Sequence, residues 1–311
     1  MTKNHRRQRT ISGSVSCTGV GLHTGVESTI TFKPAPINYG IQFSRTDIQG
    51  SPEIRADIEH VVDISRGTTI AQNGVKIHTV EHALAAVSGL RLDNVLIELT
   101  AKEAPVMDGS AKDFVDALQS VNFIEQKKDR HVLEIVKPVV YSDPKKEIDI
   151  HVVPADRFRV TFLVEYPLPA LGTQYEAIYN MEEDFARDVA PARTFCFLSE
   201  VEALREKGLI KGGSLSNAVV ILDRRIENGE INHLRKLFGI EDKVIQGNNG
   251  ILNGKVLRFH NEPVRHKTLD LIGDLALLGI SIKGHVTAAR SGHESNVEFV
   301  KMIRQEYKDQ I

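Results

Sequence analysis

The sequence predicts an α+β fold made of two similar halves packed face to face. Three observations predict it. Each half opens with β-branched, partly alternating runs and only then reaches a helix, so strands and helices are segregated along the chain. Each of those helices carries a Val-x-His element, Val80-Glu81-His82 and Val264-Arg265-His266, ends near a glycine and leads into a strand. At 311 residues the chain is also long for a single core, and two domains of ordinary size are the natural expectation.

In order, residues 11–48 read as strands, with an alternating run at 26–32 that Pro34 and Pro36 interrupt. The glycine-spaced stretch from Gly19 to Gly25 reads as a loop, since no helix follows it as a dinucleotide fingerprint would require. Short strand-like runs at 61–62 and 68–70 precede a hairpin signal at Asn73-Gly74. Residues 78–87 form a helix, with Thr79 as its cap and Gly89 as its stop. A strand at 94–99, a loop at 103–110 and a helix at 111–120 complete the first half. The polar run at 125–130 reads as a break and places the domain boundary between residues 126 and 127.

The second half restarts with strands at 132–140, 147–153 and 158–164. A short helix or turn at 184–189 and a helix at 200–207 follow. A glycine-rich stretch then leads to a buried strand at 218–222, and an amphipathic piece lies at 231–238. The Val264 helix comes next, then a strand at 280–282, a turn at Lys283-Gly284, and a loop carrying Ser291-Gly292-His293. The last dozen residues read as a terminal helix.

Bulk properties narrow the function. The formal net charge is -2, so no overall field points to nucleic acid or an anionic membrane. The start of the chain is basic (Lys3, Arg6, Arg7, Arg9), but no signal-peptide apolar core follows. No run approaches the roughly 20 apolar residues that span a bilayer. The two cysteines, Cys17 and Cys196, make no framework, which fits a reducing, cytoplasmic setting. Twelve histidines make a metal site worth seeking.

The Val264 helix is the best place to look. Residues four apart share a helix face, so His266, Asp270 and Asp274 form one stripe on an otherwise mostly apolar helix. Burying such a stripe requires a partner, and a divalent metal is one; a solvated helix face is the alternative. Glu81 and His82 add a carboxylate beside a second imidazole. With His266 and Asp270, His82 makes a two-histidine, one-carboxylate set that suits catalytic zinc, with Glu81 as proton acceptor. The plainer reading of Glu81-His82 is a helix-surface pair. His293, on a loop after a strand, could serve as a cation held by an acid such as Asp274.

Taken together, these segments resemble the UDP-3-O-acyl-N-acetylglucosamine deacetylase family, zinc amidases that commit sugar nucleotides to lipid A synthesis. Seven segments appear in the family's order: Thr18 to Gly25, Thr79 to His82, Met107 to Ala111, Ala192 to Phe195, Gly212 to Ser214, Val264 to Asp274, and Ser291 to His293. The resemblance implies His82, His266 and Asp270 as zinc ligands and Glu81 as general base. It implies His293 as electrostatic or general-acid partner, oriented by Asp274, and Thr194 as hydrogen-bond donor to the oxyanion. Lys267, Phe195, His23 and Ser214 would contact or border the substrate.

The fold it implies has helices sandwiched between two sheets, each half bearing an insert. The second insert, at 195–222, would form an apolar passage for the acyl chain, with Phe197, Leu198, Leu209, Ile210 and Val219 supplying the apolar content; core packing is the plain alternative. Against compact members of the family, the connection at 225–253 is long, which bears on acyl length and access to the site. Some relatives continue into a fused dehydratase domain, whereas this sequence ends at Ile311. The expected activity is zinc-dependent removal of acetyl from UDP-3-O-acyl-N-acetylglucosamine by a cytoplasmic enzyme compatible with a monomer. It would take a small-molecule substrate and no nucleic acid. The alternatives are a zinc amidase for another acylated sugar and a non-catalytic zinc-stabilised binding protein.

Overall fold

The computed structural model describes residues 7–168, 171–226, 229–238, 250–254 and 256–311. Of the sequence features singled out above, Lys3, Arg6 and much of the connection at 225–253 lie outside the described residues.

The first half contains β1 (Arg7–Ile11), β2 (Val15–Val20), β3 (Glu27–Pro34), β4 (Ile41–Arg45) and β5 (Glu53–Arg55). A small sheet of β6 (Val61–Asp63), β7 (Thr69–Gln72) and β8 (Val75–Ile77) follows. Then come α1 (Glu81–Gly89), β9 (Val95–Leu99) and α2 (Lys112–Gln119). After β10 (Phe123–Asp129) and β11 (Val132–Glu134), the second half has β12 (Val139–Asp143), β13 (Ile148–Val153), β14 (Arg159–Glu165) and β15 (Thr173–Ile178). Next come α3 (Met181–Asp184), β16 (Phe195–Phe197), α4 (Leu198–Glu206), β17 (Val219–Ile221) and α5 (Ile231–Phe238). The chain closes with α6 (Glu262–Ala276), β18 (Ser281–Lys283), β19 (His285–Ala289) and α7 (His293–Glu306).

The repeat expected from two Val-x-His elements is visible in the sheets. One five-stranded sheet has the order β2-β3-β9-β4-β5 and the other β12-β13-β19-β14-β15. In each, one parallel pair, β4 with β9 or β14 with β19, sits among antiparallel pairs. One apolar core joins both inner faces to the helices. Phe32, Phe43 and Ile97 come from the first sheet, Ile150, Phe162 and Val286 from the second, and Leu84, Leu271 and Phe299 from α1, α6 and α7. Helix α1 is buried along almost its whole length, as an apolar helix between two layers must be. It packs on α6, which lies in turn on β14 and β15.

Several elements differ from expectation. Residues 125–129 of the polar run belong to β10, a mostly exposed strand that pairs with the more buried β1 and demands no apolar alternation of its own. The run at 132–140 is two strands in different sheets, since β11 pairs with β18 and β12 with β13. Strands β15 and β19 were not anticipated, yet β19 is central to its sheet. Thr79 does not cap α1; it has φ 59° and its hydroxyl donates to buried Glu103 at 3.1 Å. Nor is His293 a loop residue: it opens α7, with Gly292 at the cap position. The Asn73-Gly74 turn has positive φ at both residues, as a tight hairpin between β7 and β8 requires.

Candidate active site

The site forms where the N-terminus of α1 crosses α6. Gly273 makes the close approach possible: a Cβ there would stand 2.2 Å from the Glu81 carbonyl oxygen. The crossing brings Glu81 and His82 of one half against His266, Asp270 and Asp274 of the other, all of them buried. His293, the first residue of α7, joins them.

The donor set fits a metal. His82, His266 and Asp270 each offer one ligand atom, and these lie within 4.8 Å of one another. The His266 Nδ1 faces the Ala192 carbonyl at 3.0 Å, which assigns the proton to that nitrogen and leaves Nε2 a lone pair. That lone pair stands 3.4 Å from Asp270 Oδ1, itself an acceptor, and His82 Nε2 stands 3.8 Å from the same oxygen. Burial, then the neighbouring imidazole of His266, pushes His82 down to about 3, so it too is neutral. Three acceptors converging in a buried site repel one another unless a cation lies among them. Burial opposes charge on Asp270, yet its cationic neighbours, His293 and Lys267 among them, outweigh it and hold its carboxyl at about 2.

Around this group the charges are ordered. Burial pushes the Glu81 carboxyl up to about 7 against the pull of His293, with Asp270 adding to the rise. Burial disfavours the His293 cation, but Asp274, hydrogen-bonded at 2.8 Å, and then Asp270 and Glu81 raise it to about 10. His293 Nε2 lies 4.0 Å from both Glu81 Oε1 and Asp270 Oδ2. A carboxyl that titrates near neutral pH and an imidazolium thus stand 4.0 Å apart beside Asp270, a pairing suited to taking and giving protons at neutral pH.

The remaining expected residues fall into two groups. Lys267 Nζ is 3.7 Å from Asp270 Oδ2, and the Phe195 ring lies edge-on to His266 with centroids 6.4 Å apart. Thr194 follows Ala192 by two residues, and its N–H donates to the Gly109 carbonyl at 2.7 Å. His23 and Ser214 sit on flanking loops. His23 Nε2 is 3.0 Å from the Arg66 carbonyl, while the Ser214 hydroxyl pairs with that of Ser216 at 2.7 Å. The two loops dock through Gly212 N–H, which donates to the Leu22 carbonyl at 3.0 Å.

A family model described as UDP-3-O-acyl N-acetylglycosamine deacetylase matches residues 8–236 and 232–305. The chain belongs to that deacetylase family. It is 50% identical over 298 residues to the bifunctional enzyme LpxC/FabZ of Chlorobaculum tepidum, covering 96% of this chain and 64% of that one. It is 39% identical over 302 residues to the bifunctional enzyme LpxC/FabZ of Bacteroides thetaiotaomicron, covering 97% and 65%. It is also 39% identical over 303 residues to the UDP-3-O-acyl-N-acetylglucosamine deacetylase of Myxococcus xanthus, covering 97% and 88%. The chain thus spans a little under two thirds of the two bifunctional relatives.

In this deacetylase-family chain the β16–β17 ribbon has two distinct apolar faces. Phe195, Phe197, Val219 and Ile221 lie with Tyr166 on one, which is the face nearer His266. Leu198, Val220 and Ile210 pack on the other with Leu234 of α5. The residues proposed for an acyl passage are therefore divided: Phe197 and Val219 share the Phe195 face, while Leu198 and Ile210 lie behind it. Helix α5, from the long connection, covers the rear.

Among the residues not anticipated is the pair Arg193–Glu262. Arg193 Nε and Nη2 donate to Glu262 Oε1 and Oε2 at 2.7 and 2.9 Å, and the Arg193 and Arg258 N–H groups donate to the same carboxylate. The pair ties the segment 192–194, which leads into β16, to the start of α6. Glu262→Gln is expected to lower stability by about 3–5 kcal/mol at neutral pH, because Arg193 is left buried without its counter-charge. Burial opposes the Glu262 charge, but Arg193 outweighs it and holds the carboxyl below its ordinary 4.5. A depressed folded value means the contribution is present above about 4.5 and lost as pH falls through that lower value. The stability gap between wild type and variant in urea should therefore narrow from pH 7 toward acid, and a gap independent of pH would contradict the pairing.

Proposed function

We propose that the chain catalyses zinc-dependent hydrolysis of the N-acetyl group of UDP-3-O-acyl-N-acetylglucosamine, giving acetate and the free 2-amine, the committed step of lipid A biosynthesis. The observation that carries this reading is the buried His82, His266 and Asp270 group with Glu81 and His293 beside it, 4.0 Å from each other. Family membership and the printed activity of relatives such as the Myxococcus xanthus deacetylase support it.

His82, His266 and Asp270 would hold zinc, which when bound supplies Lewis acidity toward a carbonyl and lowers the pKa of a water to about 7. Glu81 accepts a proton from the water that attacks the acetamide carbon. Charge developing on the carbonyl oxygen is met by the Thr194 hydroxyl and the His293 cation, which Asp274 holds in place. As the carbon–nitrogen bond breaks, two groups stand ready to protonate the amine: Glu81, carrying the water's proton, and His293. Lys267, His23 and Ser214 would contact or border the sugar nucleotide, and the acyl chain would run along the Phe195, Phe197 and Val219 face. We place the division between the two halves at 126/127 and the reaction in the cytoplasm. Among the described residues no helix is long and apolar enough to cross a membrane.

Substrate class is tested by comparing the full substrate with the same acylated N-acetylglucosamine lacking UDP. The expected result is a loss of kcat/KM for the truncated compound, since remote binding energy is used at the reacting centre. Equal hydrolysis of both would indicate an amidase for another acylated sugar.

A further inference from the structure

We propose that Thr68 is a positioning residue that holds Glu81 and the Asp274–His293 pair in one fixed relation. The inference rests on the deacetylase reading above. Thr68 is fully buried and immediately precedes β7, the central strand of the small β6–β7–β8 sheet, whereas Asp274 and His293 belong to the other half of the chain. Its N–H donates to Glu81 Oε2 at 2.9 Å, and its carbonyl accepts from Val80 N–H at 3.1 Å, one residue before Glu81. Its hydroxyl donates to Asp274 Oδ1 at 2.6 Å. Gly67, with φ 144°, lets the loop press this close: a Cβ there would stand 2.7 Å from Glu81 Oε1.

Proton counting shows what the hydroxyl does. It has one hydrogen, given to Asp274 Oδ1, so at 3.3 Å from His293 Nδ1 it has none to offer that nitrogen. His293 Nδ1 must then be the donor, and its shorter contact, 2.8 Å, is to Asp274 Oδ2, where the Asn296 amide also donates at 2.9 Å. Both oxygens of Asp274 are occupied, and the carboxylate has no free rotation. His293 Nε2 is thereby aimed at the space bordered by Glu81 and Asp270. One residue thus fixes the base through its main chain and the acid pair through its side chain.

Thr68→Val keeps the shape and the main-chain bonds but removes the hydroxyl donor; Thr68→Ser keeps all of them. With zinc-loaded full-length protein, Thr68→Val is expected to lower kcat about 10–100-fold, the range for lost supporting hydrogen bonds at a catalytic site, with KM within about twofold of wild type. Thr68→Ser should recover most of the loss. A readout independent of turnover is the downfield proton NMR resonance of His293 Nδ1–H, which should move or broaden in Thr68→Val and return in Thr68→Ser. Should Thr68→Val not fold, Thr68→Ala against Thr68→Ser decides by the same readouts. Wild-type kcat and an unmoved resonance in the hydroxyl-deleted variant, a change in KM alone, or a Ser variant as impaired as Val would overturn the proposal. If the wild type releases no acetate, the deacetylase reading fails, and the resonance comparison still tests the positioning.

Discussion

Glu81→Gln is expected to lower acetate release by about 10²–10⁴-fold with zinc content unchanged. Glutamine has nearly the shape of glutamate, and its carbonyl oxygen can still accept the Thr68 N–H that holds Glu81 Oε2 at 2.9 Å. What it cannot do is take a proton from water. The size of the effect follows from the environment: burial sets the Glu81 carboxyl near 7, so at neutral pH it exchanges protons with little driving-force penalty. A glutamine in its place removes that step while His82 and the donor set remain. Zinc measured on the same preparation separates the outcomes. Full activity would remove Glu81 from the mechanism, and loss of zinc would show that Glu81 serves the ion rather than the water.

His266→Ala is expected to abolish both zinc retention and activity. His266 offers Nε2 because its Nδ1 is engaged by the Ala192 carbonyl, so alanine removes a preoriented ligand and leaves one imidazole and one carboxylate. Because supporting hydrogen bonds alone change metal affinity about 10–100-fold, losing a ligand should exceed that range. The readout is the thermal shift on adding zinc. At free zinc of 100 times Kd, binding stabilises the wild type by about 2.7 kcal/mol, and the variant at the same zinc should show almost none of it. An unchanged zinc-dependent shift would mean that the ion binds elsewhere.

Much of the site was legible because it is local. His266, Asp270 and Asp274 lie four apart on one helix, and Glu81 and His82 are neighbours, so helical geometry alone groups each set. Bringing the two sets together depends on Gly273 passing the Glu81 carbonyl, a contact between distant segments that spacing does not report. Thr68 was missed for the same reason: a threonine beside a glycine carries no signal until Asp274, 206 positions away, is known to face it. Arg193 and Glu262 gave a weaker clue, two charges in segments that otherwise become buried.

In the fold, strand β19 was overlooked because it is short and ends in two adjacent alanines, which make a modest β signal. The internal repeat held the missing information: β9 follows α1 in the first half, and β19, after the short β18, follows α6 in the second, each at the centre of its sheet. The polar residues of β10 look like a break because it is a mostly exposed strand, held in place by main-chain pairing with β1 rather than by burial of its own side chains. The positive φ of Thr79 shows the limit of capping rules. Its hydroxyl is committed to Glu103, and the helix begins without a side-chain cap at Val80.

The measurement that tests the central claim most directly is acetate release from UDP-3-O-acyl-N-acetylglucosamine by the wild-type chain carrying stoichiometric zinc, with the amine product quantified alongside. The account predicts acetate and free 2-amine in equal amounts, lost when zinc is chelated and restored when it is returned. Intact substrate in the presence of bound zinc would contradict it.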